Sequence, residues 1–88
     1  MKNVYERKLS YTEAKRHFIY VQSATWESFP PSGEPFTLRV GERKFEVKLD
    51  KLNRIWSADF RDYIDLTRNN VVVFKKDKDG SFVLSLKK

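Results

Sequence analysis

The sequence predicts one small α+β domain, mostly antiparallel, and three observations carry that reading. Its 88 residues suit a single hydrophobic core. Its apolar residues alternate with polar ones through most of the second half of the chain, the period of strands half-buried in a sheet. All three prolines and all three glycines fall between those runs, where turns are needed. Hydrophobic residues make up 40% of the chain and aromatics 15%, spread along its length, which excludes a disordered tail.

Met1 to Leu9 mixes charged and apolar residues without a sustained period and is expected to be a loosely docked lead-in. Ser10 and Glu13 have the spacing of a capping box, in which each side chain satisfies an exposed backbone N–H at a helix start. That predicts a short helix near Tyr11 to His17. The β-branched and aromatic run Phe18 to Val21 suits a strand. Ser28 to Pro35 reads as a loop, too short for a domain linker. Phe36, Leu38 and Val40 then share one face; after a turn at Gly41 to Lys44, Phe45, Val47 and Leu49 do the same, giving a β-hairpin with one buried side.

Beyond Asp50, the residues Lys51, Leu52 and Asn53 form a tight connection, with Asn53 suited to the left-handed backbone that such turns need. Arg54 to Trp56 resumes a strand. Ser57 as a cap, Asp59 in the first turn and the Phe60 and Ile64 pair predict a second short helix over Ala58 to Ile64. Thr67 to Asn70 is a turn, and Val71 to Phe74, apolar on both faces, is a buried strand. Asp77 to Gly80 closes a last hairpin onto Ser81 to Leu86.

The formal charge is +6, divided evenly between the halves: eight Lys or Arg against five acids in residues 1–44, ten against seven in residues 45–88. Such a surface favours polyanionic partners, although a solvated basic face accounts for the charge equally well. The absence of cysteine excludes disulfides, thiolate catalysis and the common structural zinc sites. No apolar run follows Met1, so neither a signal peptide nor a membrane span is expected, and the expected location is cytoplasmic. His17 is the only histidine and sits in no metal-binding or relay pattern; no phosphate loop or nucleophile motif occurs. The expectation is a protein that is not an enzyme, with no cofactor, no metal and no membrane partner.

Four stretches sharpen the functional reading: Val-Lys-Leu-Asp-Lys-Leu-Asn-Arg-Ile, Phe-Arg-Asp-Tyr-Ile-Asp-Leu, Asn-Asn-Val-Val-Val-Phe and Asp-Gly-Ser-Phe-Val-Leu. In that order, the segment from Phe45 to Lys88 resembles the strand, turn and arginine strand, the short helix, the following strand and the final hairpin of the AbrB and SpoVT family of swapped-hairpin DNA-binding domains. The resemblance implies a small barrel-like fold, duplex DNA as partner, and a role in transcriptional regulation. By position it implies that Lys48, Lys51, Arg54 and Arg61 meet DNA, where Arg forks onto phosphate or guanine and Lys acts as a point charge. The competing reading of two of these is an ion pair of Arg54 with Asp50 across the turn and a helix pair of Arg61 with Asp65.

Residues 1–44 have no counterpart in that resemblance. Either they extend a homodimer that closes its barrel by exchanging hairpins, or their strands replace a partner's in a single-chain pseudobarrel, like those of plant transcription factors and some restriction-enzyme recognition domains. Aromatic residues add two alternatives. Tyr20, Trp26, Phe29 and Phe36 lie near basic residues; Phe36 belongs to the core face, whereas Trp26 and Phe29 are candidates for exposed platforms that stack on single-stranded DNA or RNA. The same two residues are candidate anchors for a protein partner held by residues 1–44, as in antitoxins.

Overall fold

The computed structural model describes residues 2–21 and 29–87. Along them run β1 (Lys2–Lys8), α1 (Tyr11–Arg16), β2 (Phe18–Tyr20), β3 (Phe36–Val40), β4 (Arg43–Val47), β5 (Arg54–Trp56), β6 (Val71–Lys76) and β7 (Phe82–Leu86). Val72, Val73 and Phe74 are consecutive and all buried, as the two-faced apolar run requires, and β6 accordingly lies inside a five-stranded sheet of order β1-β6-β7-β3-β4. Its pairings are antiparallel except for β3 with β7, which run parallel. β2 and β5 form a separate antiparallel ribbon.

The sheet and the ribbon enclose one core. Ile19 and Ile55, paired in the ribbon, are fully buried in the same apolar cluster as Leu38, Phe74 and Leu84 of the sheet. The result is a small α+β, barrel-like fold. Strands from residues 1–44 and 45–88 interleave in its sheet, so this chain supplies the neighbours that β6 and β7 need.

The leading segment is a strand and not a loose lead-in. It pairs with β6 from Lys2–Lys76 to Lys8–Val71, and Tyr5 and Leu9 are buried. Two features hide it in the sequence. A bulge between Asn3 and Tyr5 breaks the alternation, and Arg7, on the face shared by Tyr5 and Leu9, is a charge held inward by Glu13.

α1 starts as its capping box predicts: the Glu13 N–H donates to Ser10 Oγ and the Ser10 N–H to Glu13 Oε1, each at 3.2 Å. His17 ends it in the left-handed conformation, φ 62°. The second predicted helix, Ala58 to Ile64, is instead a succession of turns with one 3-10 turn at Arg61–Tyr63. Phe60 at φ −121° and Ile64 at φ −153°, ψ 140° lie outside the helical region on either side of that turn, and Phe60 is nonetheless buried. The first hairpin is tighter than expected, with Arg43 already paired to Val40 and Gly41 supplying the positive φ of a two-residue turn.

Phe29 is core. It is 5% exposed, stacks on Phe82 with ring centroids 4.8 Å apart, and meets Phe74 edge-on at 5.5 Å. Its expected role as an exposed platform or partner anchor is therefore corrected: the ring packs among those of Tyr5, Phe36, Phe74 and Phe82, inside the apolar cluster. Trp26 lies outside the described residues.

Candidate nucleic-acid interface

The connection between β4 and β5 is organised by Asp50. Its backbone N–H donates to Arg54 O at 3.0 Å and its carbonyl accepts from the Asn53 N–H at 2.9 Å, closing a three-residue loop, 51–53. Asn53 takes φ 58°, the left-handed position that ends such a loop, as the sequence predicts. The Asp50 carboxylate accepts from the backbone N–H of Leu52 and of Arg54, both at 2.9 Å. It also accepts from Arg54 Nε at 2.8 Å and Trp56 Nε1 at 2.9 Å. Burial raises the pKa of Asp50, but these donors outweigh it and hold the carboxyl below its ordinary value.

β5 then pairs with β2, and alternation decides what faces outward. With Ile19 and Ile55 turned to the core, their neighbours Phe18, Tyr20, Arg54 and Trp56 lie on the opposite face. There the Arg54 guanidinium lies 4.9 Å from the Trp56 ring centre and 5.3 Å from that of Phe18. Arg7 lies over Tyr20 at 5.3 Å. Arg54 is thus held by a carboxylate and two rings, its side chain 28% exposed. The ion pair with Asp50, the competing reading of this residue, is present in the structure, and it ties the Arg54 side chain to the turn.

Lys48 and Lys51 are exposed, and neither has an ion-pair partner among the described residues. They flank the same turn. Arg61 lies elsewhere, past the other end of the ribbon, and the predicted pair with Asp65 is absent among the described residues. Its guanidinium meets the His17 imidazole, and Asp62 Oδ1 stands 4.0 Å from its Nε. The four implied positions therefore form two groups separated by the ribbon's three residue pairs, roughly 10 Å at ~3.3 Å per residue.

The second group contains residues that sequence reasoning missed. The Ser57 N–H donates to His17 O at 2.8 Å, which brings the end of α1, with exposed Lys15 and Arg16, beside the turn carrying Arg61. No local pattern marks these residues; their relation to residues 57–61 exists only through the pairing of β2 with β5, some 35 residues apart in sequence. Among the described residues no group of three or more His, Asp or Glu is placed to hold a metal ion, and no helix is long and apolar enough to cross a membrane.

A solved structure shares this architecture. The chain has the fold of a chain in an Arabidopsis FUS3–DNA complex. The TM-score is 0.71 and the identity 13%, with 99% of this chain and 98% of that one covered. No family model matches the chain, and no curated protein matches it either. The FUS3 likeness spans residues 1–44 as well as 45–88, so it bears out the barrel-like reading for the whole chain. It gives no support to membership of the AbrB and SpoVT family.

Proposed function

We propose that this chain is a non-enzymatic duplex-DNA-binding domain acting in transcriptional regulation, and that the β2–β5 ribbon with its 51–53 turn is the surface that meets DNA. One observation carries the reading: Asp50 fixes the turn and Arg54 together, leaving Lys48 and Lys51 unpaired among the described residues at one end of a ribbon whose other end presents Arg16 and Arg61. A two-stranded β-ribbon fits the major groove, about 12 Å wide, and two cationic groups roughly that far apart suit the phosphates on its two sides. The fold adds support, since the FUS3 chain that shares it was solved with DNA.

In this reading Lys48, Lys51, Arg16 and Arg61 supply phosphate contacts, and Arg54 pre-organises the tip rather than reading a base. One chain forms the binding unit, because its own strands close the sheet that a swapped hairpin completes with a partner. The test is a titration with duplex DNA, single-stranded DNA and RNA across a salt series. Duplex should bind most tightly, with the logarithm of affinity falling by about 0.9 per neutralised phosphate for each tenfold rise in salt. Stronger binding to a single strand would shift the function to stacking on Trp56, which is 46% exposed on the ribbon's outer face. Binding to none of the three would refute the proposal.

A further inference from the structure

Leu52 occupies the middle of the 51–53 loop and is 60% exposed, the most exposed large apolar side chain among the described residues. Scattered exposed leucines need no explanation. This one differs in its setting. The backbone N–H groups of Leu52, Asn53 and Arg54 are all held by Asp50, so its position is fixed before any ligand arrives. Lys51 precedes it, and Lys48 lies just ahead of the turn, both exposed and without ion pairs among the described residues. A pre-formed apolar point in a cationic setting is suited to a polyanion that offers one apolar group at a defined depth. In the major groove of duplex DNA that group is the C5-methyl of thymine.

We infer that Leu52 is a specificity-determining contact that packs on thymine methyl groups in the major groove, an inference that rests on the duplex-DNA reading above. The cations bring the turn to the groove without regard to sequence, and Leu52 biases it towards sites with thymine beneath the tip. A rigid loop favours such a contact, because no ordering of the backbone has to accompany it.

The test compares wild type and Leu52→Ala on mixed-sequence duplexes made with thymidine or, in the same sequences, with deoxyuridine. The two pools share phosphates and base-pairing edges and differ in the C5-methyl. Wild type should bind the thymidine pool about fourfold more tightly, the worth of one buried methyl. L52A should bind both pools alike while melting at the wild-type temperature, since the side chain is exposed. Equal binding of both pools by wild type, or discrimination kept by L52A, overturns the role of Leu52 and leaves the duplex-DNA function standing. Failure of wild type to bind either pool removes both.

Discussion

Arg7 and Glu13 form an ion pair that joins three elements at one carboxylate. Arg7 Nε donates to Glu13 Oε1 at 3.0 Å and to Oε2 at 2.8 Å. The Tyr20 N–H donates to Oε2 at 2.9 Å and the Ser10 N–H to Oε1 at 3.2 Å. Glu13, 3% exposed, thus caps α1 while tying it to β1 and β2. Replacing it by Gln leaves the Arg7 charge half-buried and uncompensated, and should lower stability by roughly 2–3 kcal/mol in urea denaturation with the slope unchanged.

The same carboxylate sets an acid dependence. Burial raises the pKa of Glu13, but hydrogen bonds from Arg7 and from the N–H groups of Tyr20 and Ser10 more than reverse this, so it lies below its ordinary value. A folded-state value below the unfolded one means that its stabilisation is present above the ordinary glutamate range and is lost as pH falls through the depressed value. The stability gap between wild type and E13Q should therefore be widest near neutral pH and narrow on acidification, as urea curves at both pH values will show.

Asp50→Ala should weaken DNA binding about tenfold and cost about 1–2 kcal/mol of stability, because the turn loses its organiser. Net charge alone predicts the opposite for affinity, since a carboxylate is removed beside the binding cations. A DNA titration of D50A that gives tighter binding than wild type would show that charge and not geometry governs the site.

Lys51→Ala and Lys48→Ala should each reduce the salt dependence of duplex binding by about one phosphate, a slope change of about 0.9, and leave thermal unfolding unaltered. Arg54→Ala should lower both affinity and stability. That split, read by titration and melting on the same samples, separates a contact from a stiffener.

Phe29→Ala should cost roughly 3–5 kcal/mol and leave little folded protein, since it removes the ring stacked on Phe82. A variant that folds normally and loses only nucleic-acid binding would restore the platform role that the structure denies it.

Local chemistry made several elements legible in the sequence. The Ser10 and Glu13 pair, Asn53 at positive φ and the two-faced Val71 to Phe74 run each carry their instruction within a few residues. What stayed hidden depends on distant partners. β1 is a strand because β6 lies beside it and because Glu13 neutralises an inward Arg7; residues 58–64 bury Phe60 through a succession of turns in place of the expected helix. At the site, the basic turn was readable from its composition, whereas the setting of Arg54 turned on Asp50 and two rings, and the end of α1 came beside Arg61 only through the β2–β5 pairing.

The sheet order β1-β6-β7-β3-β4 also constrains biosynthesis. β6 and β7, made last among the strands, insert between β1 and β3, which emerge from the ribosome early and stay unjoined until residues 71–86 arrive. Until those residues are made, β1 and one edge of β3 lack their strand neighbours, so assembly rests on remote contacts and a chain cut before residue 71 is prone to aggregate.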